Sequence, residues 1–228
     1  MNSRRAILAL VTLCMLAALA ACGGPTPSPV PDEPTATADL EPTATVDLEP
    51  AATPESTPPP AAGADTPAPT GTPVSRTYLT YESEANGFSI DYPDEWEVSE
   101  RASMPGTTTF ITPLQGADDT FRENVTVVVQ GAPADATTLD EFTEMALAQG
   151  RELIPRFMVM ESRSATLAGN PAQQVVYTGL QGERDLRWLQ LWSLVGDQVY
   201  ILTYTAEENE FTAFRSVVQQ MITSMEVR

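Results

Sequence analysis

Leu186-Arg187-Trp188-Leu189-Gln190-Leu191-Trp192-Ser193-Leu194-Val195-Gly196-Asp197-Gln198-Val199-Tyr200-Ile201-Leu202-Thr203-Tyr204-Thr205 reads as a single β-hairpin. Gly196-Asp197 is a fitting two-residue turn between two apolar runs. Side chains alternate between the faces of a strand, and here both faces are apolar: Leu189, Leu191 and Val195 on one, Trp188, Trp192 and Leu194 on the other. Strands of this kind sit near the middle of a sheet that is covered on both sides. The rest of the chain must therefore supply two covering layers.

Working outward, Val159–Leu167 and Ala172–Thr178 read as strands joined by a turn at Ala168-Gly169-Asn170-Pro171, with Gly179–Gly182 as the next connection. Before them, Thr138-Leu139-Asp140-Glu141 is a helix start, a threonine cap with glutamate three residues on. Leu139, Phe142, Met145 and Ala146 continue it at helical spacing, and Gly150 is the expected stop. Val125–Val129 is β-branched and suits a central strand, and Thr107–Thr112 suits another. Tyr78–Tyr81 and Phe88–Tyr92 flank Asn86-Gly87 as a hairpin, which Pro93 ends, and Trp96 folds back on the core. At the far end, Phe211, Phe214, Val218, Met221 and Met225 make one stripe on a helix predicted from Glu207 to Met225, with Glu207, Glu208 and Glu210 favoured in its first turn by the helix dipole. Tight turns between neighbouring strands give an antiparallel sheet, and two amphipathic helices can cover its faces. The fold class is α+β.

The foldable stretch is residues 77–228. Fourteen of the 20 prolines lie between Pro25 and Pro73, in a segment rich in threonine and alanine. Within it Glu33–Leu40 recurs as Glu41–Leu48, an eight-residue period with no hydrophobic face to stack. Residues 22–76 are expected to be a disordered acidic linker. At ~3.1 Å per residue its fifty or so residues reach at most on the order of 150 Å. Its threonines are also candidates for O-glycosylation.

Net charge is −19, and from Thr77 onward 23 acidic residues face nine arginines, which repels phosphate backbones and argues against nucleic-acid binding. The chain has no histidine and no lysine, and its two cysteines are Cys14 and Cys22. Ser-His-Asp and Cys-His catalysis, Schiff bases and imidazole or thiolate metal sites lose their central residues. Carboxylate, tyrosine, serine and arginine chemistry remains, so the chain is expected not to be an enzyme and to carry no cofactor. The alternative within that chemistry is a carboxylate-based hydrolase of envelope glycans.

Arg4 and Arg5 followed by the apolar run Ala6–Ala20 have the layout of an export signal, and the run is shorter than the roughly 20 residues of a comfortable membrane span. Leu19-Ala20-Ala21-Cys22 resembles the lipobox of bacterial lipoproteins. That resemblance implies a signal peptide over residues 1–21 and a mature chain opening on Cys22, which carries a thioether-linked diacylglycerol with acyl chains such as palmitate. An ordinary secretory signal is the alternative. Either way the expected location is extracytoplasmic, and lipidation fixes the chain to the cell membrane through Cys22.

A second resemblance covers most of Tyr81–Val227. Gly87-Phe88-Ser89-Ile90-Asp91-Tyr92-Pro93 with Trp96 is similar to the opening signature of PsbP-like domains, a family that includes PsbP and the DcrB-type and Mog-type proteins. Thr138–Phe142, the Leu167–Ala172 turn and the closing Ser224-Met225 are similar too. The resemblance implies an α-β-α sandwich around a central antiparallel sheet, and a protein that binds a partner without turnover, here a membrane or envelope protein. Tyr92, Pro93 and Trp96 carry over as fold markers only. A photosystem role does not carry over, because the basic docking residues and histidine ligands of relatives have no counterparts.

Three sets of residues are candidate sites. Arg184 and Arg187, beside Trp188, can grip an anionic ligand, and surface ion pairing is their ordinary role. Asp91, Asp94 and Glu95, with Glu97 close by, are oxygen-rich enough to suggest calcium, and a calcium or small-ligand carrier is a further functional alternative. Trp188 and Trp192 with Tyr200 and Tyr204 suit either a ligand platform or a core facing a helix. Asp118-Asp119 reads as a solvated turn.

Overall fold

The structure, a computed structural model, describes residues 76–101 and 103–228. The leader, Cys22 and the proline-rich linker lie outside the described residues. Among the described residues ten strands and two helices follow in order: β1 (Tyr78–Ser83), β2 (Phe88–Pro93), β3 (Glu97–Glu100), β4 (Thr107–Ile111), β5 (Asn124–Gly131), α1 (Leu139–Leu153), β6 (Met158–Leu167), β7 (Asn170–Gln181), β8 (Arg184–Val195), β9 (Gln198–Glu207), α2 (Arg215–Ser224) and β10 (Glu226–Val227).

Among the described residues there are two sheets instead of one. Seven strands run in the order β3-β4-β5-β9-β8-β7-β6, and three more in the order β1-β2-β10, with antiparallel pairing throughout. The large sheet is two meanders, β3-β4-β5 and β6-β7-β8-β9, zipped along β5 and β9 from Asn124↔Thr205 to Gly131↔Gln198. The β8–β9 hairpin lies in its middle, as the doubly apolar pattern requires.

Each face has its own core. Val175, Tyr177, Trp188, Trp192, Val199 and Ile201 pack with Phe142 and Ala146 of α1. The Trp192 indole stands edge-on to Phe142, and its Nε1 donates to the Thr143 hydroxyl at 2.9 Å. On the opposite face Val125, Val127, Leu189, Leu191, Leu202 and Tyr204 pack with Val217, Val218 and Met221 of α2 and with Phe88 and Ile90 of the small sheet. Trp96 folds onto this second core, edge-on to Phe214.

The Thr138 cap forms with its full reciprocal box, since the hydroxyl accepts from the Glu141 N–H and the Glu141 carboxylate accepts from the Thr138 N–H. Gly150 does not stop the helix, which continues to Leu153 and caps at Ile154. Its small size serves another end: a Cβ there would sit 2.7 Å from the Phe157 ring. Gly179 belongs to β7 and not to a connection, paired with Leu186, and a Cβ there would sit 2.3 Å from Ile154 Cγ2. The β7–β8 turn is Gly182-Glu183 alone.

The last helix is shorter than predicted. Glu207 stays in β9, residues 208–214 form turns, and α2 begins at Arg215 with no acidic residue in its first turn. The apolar stripe from Phe211 to Met225 is nonetheless buried, because the turns keep its first two members on the core side. The acids ahead of it pair instead with arginines across the ladder: Glu207 with Arg184, and Glu208 with Arg187.

Candidate functional site

One end of the β8–β9 ladder gathers the chemistry. There Arg184 opens β8, Glu207 closes β9, and two connections meet beside them, the loop from Thr112 to Glu123 and the turns at 208–214.

The arginines on this end are already engaged. Arg184 Nη1 donates to Glu207 Oε1 at 2.6 Å, while Nη2 donates to the Thr120 hydroxyl at 3.0 Å and its carbonyl at 3.3 Å. The same guanidinium lies over the Phe121 ring, 5.6 Å from its centroid. Arg187 Nη2 donates to Glu208 Oε1 at 2.9 Å and covers Phe211 at 5.3 Å. These contacts fasten both connections to the sheet. Trp188, one residue on, points to the other face, where it stacks on Tyr177 at 5.2 Å under α1. The structure therefore brings Arg184 and Arg187 to one end of β8 but on opposite faces, with Trp188 buried on the face of Arg184. The aromatic quartet divides in the same way, with Trp188 and Trp192 facing α1 and Tyr200 and Tyr204 in the opposite core.

The acids around the Tyr-Pro-Trp turn are dispersed over separate partners. Asp91 Oδ1 accepts from the Thr80 hydroxyl at 2.6 Å, Glu95 pairs with Arg76 at 3.4 Å, Glu97 pairs with Arg122 at 3.0 Å, and Asp94 is exposed. Among the described residues no three carboxylate, histidine or cysteine side chains are grouped closely enough to hold a metal ion.

A cavity of about 350 Å³ opens beside the Arg184 cluster, lined by Gln115, Gly116, Ala117, Asp118, Asp119, Glu123 and Glu210. Its floor is unusual for an acidic side chain, since Glu123 is only 2% exposed. Burial, reinforced by the negative charges of Asp119, Glu207 and Glu210, pushes its carboxyl above the usual carboxylate range, opposed by a hydrogen bond from its own N–H. Asp119 behaves oppositely. Its Oδ2 accepts from the Gln115 N–H at 2.6 Å and its Oδ1 from the Phe121 N–H at 3.0 Å, which hold its carboxyl below the usual range. Asp118 is exposed, so of the Asp118-Asp119 pair only the first is a plain solvated residue. Behind the cavity Tyr204 donates to the Phe211 carbonyl at 3.1 Å, and burial raises its phenol well above the ordinary value.

Glu123 is the residue that motif reading misses. Its signal lies in the alternation of Val125, Val127 and Val129, which extended back by one step lands on Glu123 as an inward position.

The profile of the PsbP-like protein family matches residues 72–227. Three solved structures share the fold. Cyanobacterial PsbP (CyanoP) from Synechocystis sp. PCC 6803 is 17% identical with a TM-score of 0.50, over 71% of this chain and 100% of that one. LpqN of Mycobacterium tuberculosis, described as involved in cell envelope biogenesis, is 15% identical with a TM-score of 0.51, over 67% and 90%. A Pseudomonas aeruginosa protein of unknown function, PA94, described as a putative regulator, is 16% identical with a TM-score of 0.50, over 66% and 97%. A comparison with curated proteins finds no match. The family profile spans the sequence from the end of the proline-rich segment to the penultimate residue, and the sheets and helices follow the architecture of these relatives: the chain belongs to the PsbP-like protein family.

Proposed function

We propose that this protein is a lipid-anchored, extracytoplasmic, non-catalytic module that binds or helps assemble a membrane or envelope protein complex. The observation that carries this reading is the PsbP-like match across the entire described domain. LpqN, a fold relative, is described as acting in envelope biogenesis, which supports an envelope setting. Among the described residues no helix is long and apolar enough to cross a membrane. The attachment in this reading is the lipid on Cys22, supported by the resemblance of Leu19-Ala20-Ala21-Cys22 to a lipobox. The domain's negative charge disfavours direct contact with anionic headgroups, and the linker of residues 22–76 sets its distance from the membrane.

The test has two arms. Fractionation of cells making Cys22→Ala should find the protein released from the membrane, with its melting temperature unchanged. Affinity capture of the anchored protein from intact cells should recover an envelope or membrane protein that Cys22→Ala recovers less well. Retention of Cys22→Ala on membranes after a high-salt wash contradicts the anchor, and turnover of an envelope glycan by the purified chain contradicts the non-catalytic reading. The second reading, a small-ligand carrier, is favoured by the acidic cavity at Glu123.

A further inference from the structure

The large sheet ends on two unlike edges. β3 has four residues and begins and ends on glutamate, a short charged edge of the kind that resists pairing. β6, at the other edge, has ten, and among the described residues no strand pairs with its outer side. Its Met158 and Met160 are 55% and 52% exposed.

The hairpin turn fixes which backbone groups of β6 face out. Ala168 and Gly169, at φ 49° and 77°, make a two-residue turn closed by Leu167↔Asn170. The pair next to such a turn exchanges both N–H···O bonds, and every second residue beyond it turns away. Leu167, Ala165 and Arg163 therefore bond to β7, whereas Thr166, Ser164 and Ser162 direct N–H and C=O outward. Pro171 fits this pattern, since it stands opposite Thr166 and has no N–H to donate. The register with β7 shifts between Val159 and Glu161, so the regular outer edge begins at Glu161.

The charges on this edge are complementary to themselves. Glu161 and Arg163 share a face of β6, each about half exposed, and Arg163 Nε donates to Glu161 Oε1 at 2.6 Å. When a second β6 lies antiparallel with a two-fold axis at Ser162, the two Ser162 residues exchange backbone bonds. Each Glu161 then stands opposite Arg163 of the other copy, in the close, non-hydrogen-bonded kind of pair. The charges form a square with opposite signs along every side and like signs only on the diagonals. An axis at Glu161 or Arg163 sets like charges face to face, and an axis at Ser164 leaves both charges opposite the apolar Ala165 and Leu167. The chain's own linker is a poorer occupant, because its many prolines between Pro25 and Pro73 have no N–H for a ladder.

We infer that β6 pairs with β6 of a second copy of this chain across a two-fold axis at Ser162, joining two seven-stranded sheets edge to edge. Each copy uses its β6 once, so the assembly closes at the dimer. This goes beyond the proposed function and does not rest on the lipid anchor.

Sedimentation equilibrium of the full chain in a density-matched detergent tests it, and should show a reversible monomer–dimer equilibrium. Glu161→Arg and Arg163→Glu should each weaken the dimer by roughly tenfold or more, because each puts only like charges around the axis. Mixing the two variants should restore dimers, since every arginine then faces a glutamate of the other copy. The ion pair within one strand is lost in both variants and mixing does not rebuild it, so a role confined to that pair predicts no recovery. Asp94→Asn, exposed on another part of the surface, should leave the equilibrium unchanged. A chain that stays monomeric at about 1 mM overturns the inference, as does a dimer that neither charge change weakens or that mixing fails to restore. Slow amide exchange at Ser162 and Ser164 that does not depend on concentration overturns it too, by placing the linker on this edge.

Discussion

The same two strands, β8 and β9, do different things along their length. In the middle, Trp192, Leu191, Ile201 and Leu202 are consumed by packing on both faces, and nothing reactive reaches solvent. At the end that starts with Arg184 and finishes with Glu207, the ladder meets two irregular connections, and charges take the place of apolar side chains. The middle fixes the fold, while the end retains an acid, Glu123, whose charged form burial disfavours.

The largest effect should come from the middle. Trp192→Ala removes a fully buried indole, its edge contact with Phe142 and its hydrogen bond to Thr143, and should cost about 3–5 kcal/mol in urea unfolding. A loss under 1 kcal/mol would break the comparison, by showing that α1 does not depend on that face. Arg184→Ala at the end should cost less, about 1–2 kcal/mol, from the bonds to Glu207 and Thr120 and the cover over Phe121. Because it fastens the loop, it should also increase amide exchange at residues 115–121.

Glu208→Ala should cost at most about 1 kcal/mol, because its ion pair is half exposed and open to screening. Glu123→Gln should act in the opposite direction. Its folded-state pKa is raised, so the folded chain binds the proton more tightly than the unfolded chain. The wild type therefore gains relative stability as pH falls from neutral through that folded value, and the gain levels off below the unfolded value of roughly 4.3. Against this, Glu123→Gln should melt higher at pH 7, with the difference shrinking to nothing near pH 4. Asp119, held low by its two N–H donors, contributes the reverse dependence at still lower pH. Melting curves from pH 4 to 7 check the sign, and a lower melting temperature for Glu123→Gln at pH 7 would show that the carboxylate is compensated from within.

Patterning revealed most of the middle and little of the end. Doubly apolar strands, the Thr138–Glu141 capping box and the Phe211–Met225 stripe are local signals, and local signals survive in the fold. The errors arose where tertiary contacts override local preference. Gly150 and Gly179 look like punctuation, yet each is small because Phe157 or Ile154 presses on it. Glu207, Glu208 and Glu210 look like a helix start, yet the first two are drawn to arginines across the ladder. The small sheet escaped because β10 is two residues long and pairs with β2 from the far end of the chain. Arg184 and Arg187 are legible by type, but alternation puts them on opposite faces of β8, Arg184 over Phe121 on the face of Trp188 and Arg187 over Phe211 on the other, so the three do not form one grip. The cavity joins residues 115–123 to Glu210, a juxtaposition that no sequence window contains.

A photo-crosslinking residue placed at Asp118, on the cavity rim, and in a second protein at Asp197, on the hairpin turn at the opposite end of β8 and β9, tests the central claim most directly. In intact cells the anchored protein should crosslink to one envelope or membrane protein from Asp118, and not from Asp197. Equal yields from both positions, or no product from either, would contradict a binding module whose working surface is the Arg184–Glu207 end.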